Sequence, residues 1–507
     1  MRYVLPPFVL ALGVLAACGS TNDKADNSAQ GGGGAVATGG SAGTGGQTGT
    51  GDAGGSGKSA GGSTASGGGT GGASGSGGGT ASGGGTASGG AGGAGGVGVN
   101  PTCSTGTAQA GDVTLTLSSL QQKISGFGVS SAWGGDFRDP AKDPDMLWST
   151  TTGAGLTLHR IRIGGGTTSE TKIAQKAVTY GVKVWATPWE VNSADTSGPN
   201  CPGNSDCKNA PKLTNGQDWA KRLVDFVTTM KTAGVPIYAI SAENEPDSSG
   251  MNATTSYTPT ELGSWIGTYL GPALAGTGTK VMGPETENWY GFPSYFKAIQ
   301  DNSAAWSAVS ILAGHEYGLG PTQPEPAITA AGKEYWETEV DTGTTPDDPT
   351  ADNMPSALHM ATTIHDDLTK ANLNAWHYWW LWAGGTSGLY DTNTNVWTKR
   401  LWVMGNFSRF VRPGYMRVST SGTVPSGVSL SAYTNQADGT IVVVAINTNA
   451  SATPVSLFVS GAAPCTVTPW VTSATDSLAS KTPITLAGAR FSATLGEKSV
   501  TSFVGKP

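Results

Sequence analysis

Eight apolar runs of strand length, at 124–129, 157–163, 182–187, 237–242, 280–283, 310–313, 334–337 and 375–380, alternate with stretches of helical character such as 219–233 and 259–270. Strands that alternate with helices predict a parallel α/β architecture, and eight such units fit a (β/α)8 barrel. The pattern changes at both ends of this region. Val113-Thr114-Leu115-Thr116-Leu117 alternates in the manner of a half-buried strand. After the last unit, β-rich runs at 428–433, 440–446, 455–459, 466–471 and 499–504 are separated by turn residues. These predict a β-sandwich side domain built mainly from C-terminal sequence, with the N-terminal strand added to it.

The first hundred residues are of a different kind. One positive charge at Arg2 precedes an apolar run from Val4 to Leu15, and Leu15-Ala16-Ala17-Cys18 follows. The run is too short to span a membrane permanently and reads as an export signal. From about residue 31 to 98 the chain is almost entirely Gly, Ser, Thr and Ala. Such a segment cannot offset its ordering entropy, so a disordered tether is expected, with a span of roughly 45 Å. The expected organisation is a signal at 1–18, a tether at 19–102, the barrel at 103–415 with its first strand or strands joining the side domain, and the side domain at 416–507.

Composition changes the picture only after the tether is set aside. The 78 glycines and the charged fraction of 13% belong largely to that segment and say little about the folded part. A net charge of −7 offers no basic stripe for nucleic acid. Leu-Ala-Ala-Cys resembles the bacterial lipobox, which implies lipidation of Cys18; ordinary cleavage nearby, discarding Cys18, is the alternative. Gly19 in place of Asp resembles the outer-membrane sorting pattern, so membrane contact is expected only through this anchor. The remaining cysteines are Cys103, Cys201, Cys207 and Cys465, an even number in an exported chain. Cys201 and Cys207 are close enough to pair locally, and a Cys103–Cys465 bridge would then join the two ends of the folded region. A four-cysteine metal site is the rival, but CxxC spacing is missing. No metal or cofactor is expected; nothing in the sequence sets the oligomeric state, and a monomer is assumed.

Two acidic stretches carry the candidate chemistry. Ile240-Ser241-Ala242-Glu243-Asn244-Glu245-Pro246-Asp247 and Tyr335-Trp336-Glu337-Thr338-Glu339-Val340 each place a carboxylate where an apolar strand stops. The C-terminal strand ends of a barrel are where its active sites lie. Glu245 follows the fourth predicted strand and Glu339 the seventh. Cleaving a glycosidic bond with retention needs one carboxyl group to protonate the leaving oxygen and another to attack the anomeric carbon, about 5–5.5 Å apart. Asn244 is placed to hydrogen-bond a sugar 2-hydroxyl.

The chain resembles glycoside hydrolase family 30, and most closely its glucuronoxylan endo-xylanase branch. The residues that carry the resemblance are Gly126-Phe127-Gly128, Ala132-Trp133-Gly134-Gly135-Asp136, Ala186-Thr187-Pro188-Trp189, Tyr238-Ala239-Ile240-Ser241, Asn244-Glu245-Pro246-Asp247, Gly332-Lys333-Glu334 with Trp336 and Thr338-Glu339, and the segment from Phe407 to Tyr415. The resemblance implies Glu245 as acid/base, Glu339 as nucleophile, and plant cell-wall xylan or a related polysaccharide as the partner. Glu339 must stay ionised, and Arg160 is the expected support. Trp133, Trp189, Trp379 and Trp380 are candidates to stack on sugar rings, and His315 and Tyr317 to hydrogen-bond the sugar or the nucleophile. Glu243, where the family usually has Gln, is expected to point inward and pair with Arg162. In the branch, a Lys-Arg-Gly-Tyr segment reads a uronate substituent; here Lys399-Arg400-Leu401-Trp402 stands in its place. Arg400 retains a bidentate partner for a carboxylate and Trp402 a flat ring without the hydroxyl. Dependence on the uronate is left open, as are another family 30 activity, such as a β-1,6-glucanase, and polysaccharide binding without turnover.

Overall fold

The structure is a computed structural model that describes residues 105–506 apart from 165–167, 190–192, 198–211, 249–254, 343–353 and 385–386. The expected export signal, the lipidated Cys18, the tether and the Cys201–Cys207 pair lie outside the described residues. Cys465 is disulfide-bonded; Cys103, its expected partner, is also outside them.

The first strand, β1 (Val113–Lys123), precedes eight parallel strands: β2 (Gly126–Ser130), β3 (Leu158–Ile163), β4 (Lys183–Pro188), β5 (Ile237–Ser241), β6 (Lys280–Thr286), β7 (Val309–His315), β8 (Glu334–Glu339) and β9 (Ala375–Ala383). Each of the eight pairs with its neighbour, β8 also pairs with β9, and β9 pairs with β2, so the barrel closes. Its centre is packed rather than hollow. Leu158, Trp185, Met282, Ile311 and Trp336 are buried together inside it. Burial pushes His377 down to about 3 and so keeps the imidazole neutral. Its Nδ1–H then donates to the Glu337 carbonyl at 2.9 Å while Nε2 accepts from Trp185 Nε1–H at 3.0 Å. Gly128 makes room for this ring: a Cβ there would lie 2.3 Å from His377 Cδ2. A filled interior leaves chemistry to the rim at the strand ends.

The side domain is a mixed sheet of β1 with β10 (Met416–Ser421), β11 (Val428–Thr434), β12 (Ile441–Asn447), β13 (Thr453–Ser460), β14 (Thr466–Thr472), β15 (Arg490–Leu495) and β16 (Ser499–Gly505). The sheet encloses its own core, in which Phe491 of β15 meets Phe503 of β16 with ring centroids 5.2 Å apart. As expected, β1 belongs here, antiparallel to β10 and parallel to β13. Every residue of β12 is buried. Ile441, Val443 and Ala445 face the side domain's own core, whereas Val442, Val444 and Ile446 face the core shared with the barrel. A strand with period-2 side chains buried on both faces joins the two layers. β10 and β15 escaped the sequence reading because polar Arg417, Ser419, Ser492 and Thr494 interrupt their apolar runs.

Candidate active site

Glu245 lies four residues beyond β5, and Glu339 is the last residue of β8. Glu245 has φ 47°, in the left-handed region, and Trp133 (φ 54°) and Glu285 (φ 59°) share that conformation at the same end of the barrel. Such backbone is costly for a side-chain-bearing residue and persists where surrounding contacts hold it. Here the Glu245 N–H donates to the Glu285 carbonyl at 2.9 Å, and the Asn244 N–H to the Pro188 carbonyl at 3.0 Å. The nucleophile candidate is held on both sides. The Glu339 N–H donates to Glu337 Oε1 at 2.8 Å, and the Glu339 carbonyl accepts from the Glu316 N–H at 3.0 Å.

The side chains converge. One carboxylate oxygen of Glu245, one ring nitrogen of His315 and one carboxylate oxygen of Glu339 all lie within 4.8 Å of one another. His315 Nδ1 is 3.0 Å from Glu245 Oε1, and its Nε2 is 3.3 Å from Glu285 Oε1. Tyr317 donates its hydroxyl to Glu339 Oε1 at 2.8 Å. The Arg160 guanidinium, fully buried, contacts Glu339 Oε2, pairs with Glu285 at 2.9 Å, donates to Asn244 Oδ1 at 2.9 Å and to Thr187 Oγ1 at 3.1 Å. Three buried carboxylates around two cationic groups form one network.

Charge within it follows from burial and neighbours. Burial opposes a charge on His315, but Glu339, Glu245 and Glu285 outweigh it and push the imidazole up to about 10. Burial would raise Glu285, yet Arg160 and His315 hold it below its ordinary value. For Glu339 burial is the largest influence and leaves the carboxyl above its ordinary value, although His315 and Arg160 pull it down. Those donors fit the proton and charge traffic of two carboxylates. A metal would have to share Glu339 with the Arg160 cation already on it, so the same cluster is poorly suited to one.

Glu285 is the site residue that sequence reasoning missed. The signal was present in Gly283-Pro284-Glu285-Thr286-Glu287, acidic residues just beyond the apolar start of a strand, as for Glu245 and Glu339. Glu287, two residues further on, is half-buried beside them.

The aromatic candidates divide. Trp133 is 44% exposed, while Trp189 and Trp379 are buried at 3% and 7%. Trp189 packs edge-on to Trp133 at 5.1 Å and under the Arg160 guanidinium at 4.2 Å. Trp379 is stacked on half-buried Trp380 at 5.7 Å, and Trp380 donates its indole N–H to the Ala132 carbonyl at 2.6 Å. Trp133 is therefore the open ring of this cluster, and the others build its floor.

Two expectations are corrected. Arg162 pairs with Glu170, Nε to Oε1 at 3.4 Å, and lies over the Trp133 ring at 4.7 Å. The Glu243 carboxyl is fully buried on the side of Tyr257, whose phenol its charge pushes further up. Alternation along two strands cannot say which charges meet across them; the helix that follows β3 supplied a nearer partner. Arg400 is fully buried, not open to a substrate. It lies in the first turn of the helix Lys399–Ser408, and its guanidinium donates to Ser356 Oγ at 2.9 Å and to the Gly388 carbonyl at 2.5 Å. Trp402, on the same helix, is half-buried, and its carbonyl accepts from Thr472 of the side domain at 3.4 Å.

The family model for the glycosyl hydrolase family 30 TIM-barrel domain matches residues 169–345. Glucuronoxylanase XynC of Bacillus subtilis (strain 168) is 31% identical over 409 residues, covering 79% of this chain and 93% of that protein. The solved glycoside hydrolase family 30 subfamily 8 xylanase Xyn30A of Clostridium acetobutylicum superposes with a TM-score of 0.70 at 31% identity, over 78% of this chain and all of that one. The endo-β1,6-glucanase BT3312 shares the fold at 20% identity, with a TM-score of 0.61 over 78% of this chain and 94% of its own. With a barrel of this topology, two strand-end glutamates facing one another and relatives of this extent, the chain belongs to glycoside hydrolase family 30.

Proposed function

We propose that this glycoside hydrolase cleaves internal β-1,4-xylosidic bonds of xylan with retention of configuration, with Glu339 as nucleophile and Glu245 as acid/base. The observation that carries the reading is the approach of the Glu245 and Glu339 carboxylate oxygens to within 4.8 Å. That separation suits direct attack on the anomeric carbon; an inverting pair stands about 6.5–9.5 Å apart to leave room for water. In the first step Glu339 attacks the anomeric carbon and Glu245 gives its proton to the departing oxygen. In the second, Glu245 takes a proton from water, which displaces Glu339. Arg160 and His315 bring two positive charges against Glu285 and Glu339 and so oppose the burial that would neutralise the nucleophile. Arg160 also holds the Asn244 amide oxygen, which orients that side chain for the sugar 2-hydroxyl.

Xylan as substrate rests on the names of the relatives at 30% identity or above. Recognition of a uronate branch by Arg400 is not part of the reading, because its guanidinium is turned inward. The test is product analysis by mass spectrometry after incubation with glucuronoxylan and, separately, debranched xylan. Cleavage of both at comparable rates is expected. Release from glucuronoxylan alone would return uronate dependence, and cleavage of neither would defeat the xylanase reading.

A pH profile follows from the nucleophile. Glu339 must be ionised to attack and its carboxyl sits above the ordinary value. Activity is therefore expected to fall as pH drops through that raised value, with the acid limb of kcat/KM lying above that of an ordinary glutamate. Arg160→Lys weakens the cationic hold on Glu339 and should move the limb further up. An unmoved limb would remove Arg160 from this role.

The N-terminal part of the reading is that the enzyme is exported and tethered through lipid on Cys18. Labelling of wild type but not Cys18→Ser by a fatty-acid probe in a bacterial host tests it.

A further inference from the structure

Glu287 stands apart from the other carboxyl groups in the cleft. Its backbone is fixed at both ends by residues that neighbour the catalytic pair. The Glu287 N–H donates to Asp247 Oδ1 at 2.9 Å, two residues after Glu245. Its carbonyl accepts from the N–H of Tyr317 at 3.3 Å, the residue whose hydroxyl holds Glu339. Glu285 and Glu339 spend their carboxylates on Arg160, His315, Thr187 and Tyr317. The half-buried Glu287 side chain has no hydrogen bond or ion pair among the described residues. Around it are Glu245 and Asp247 from the segment after β5 and His315 from β7, and burial together with the two carboxylates pushes it up to about 7.

A carboxyl group held in place, partly desolvated and facing other carboxyls is poorly satisfied without a donor. Hydroxyls of a sugar ring would supply such donors. The position also selects the side of the scissile bond. Glu245 must touch the leaving oxygen, and Glu287 stands close enough to Glu245 and Asp247 to feel their charges, beside that oxygen.

Resting on the proposed retaining xylanase reading, we propose that Glu287 is a substrate-binding residue of the leaving-group subsite, where its carboxyl accepts hydroxyls of the departing xylose unit.

The test compares two substrates. A xylo-oligosaccharide places a sugar in the leaving-group subsite, whereas 4-nitrophenyl xylobioside places only a phenol. Glu287→Ala is expected to lower kcat/KM on the oligosaccharide about 10-fold or more and to change it less than about twofold on the aryl glycoside. Glu287→Gln, which keeps one hydrogen-bonding oxygen, should recover part of the loss. An equal loss on both substrates, or no loss on either, overturns the inference while leaving the catalytic reading in place. A wild-type enzyme that cleaves neither substrate overturns that reading and this inference with it.

Discussion

Replacing Glu339 by glycine is expected to lower kcat on xylan by on the order of 10⁵-fold, because no other group is placed to form the covalent intermediate. In the variant Arg160 keeps Glu285 as its counter-ion, and circular dichroism separates loss of the nucleophile from the destabilisation expected when one partner of a buried ion pair is removed. Azide supplies the decisive readout. With an aryl xylobioside, azide entering the vacated space attacks the anomeric carbon from the Glu339 face as the phenol leaves, and an α-glycosyl azide forms. Release of the β-azide, or undiminished hydrolysis of xylan, would show that Glu339 is not the nucleophile.

Glu245→Ala separates the two steps. Cleavage of xylan needs a proton on a poor leaving group and should fall about 10²–10⁴-fold. An aryl xylobioside with an acidic phenol needs no such help in the first step, so the glycosyl intermediate should accumulate as a burst of phenol. Azide then displaces Glu339 from the opposite face, and the product is the β-azide. The opposite stereochemistry in the two variants assigns the two carboxylates independently of any relative. Equal slowing on xylan and on the activated glycoside would place Glu245 outside acid/base catalysis.

Both glutamates were legible in the sequence because each follows an apolar strand segment, and in a barrel the strand end is the mouth of the cleft. Arg160 was legible as a cation on a predicted barrel strand that could keep Glu339 ionised. Its reach was not. That one guanidinium touches Glu339, Glu285, Asn244 and Thr187 depends on four strands converging at one height in the barrel. Glu285 went unread because Pro284 broke the apparent strand before it, although β6 in fact runs on to Thr286.

The same limit explains Arg162 and Arg400. Alternation placed Arg162 on the inner face, but a salt bridge is decided by distances between elements, and Glu170 on the following helix was nearer than Glu243. The resemblance of Lys399-Arg400-Leu401-Trp402 to the Lys-Arg-Gly-Tyr segment of the branch made Arg400 a candidate substrate-binding residue. The packing of its helix against the helix Met354–Lys370 turned the guanidinium inward onto Ser356 and Gly388 instead.

The eight barrel strands, the presence of a side domain and the two strand-end glutamates were determined by the sequence alone, because hydrophobic periodicity and chain termini of strands are local properties. Which charges neutralise one another, which indole keeps an open face and which carboxyl is left without a partner were decided only by the closed barrel. Those outcomes depend on side chains from strands far apart in the chain meeting at distances that no local pattern encodes.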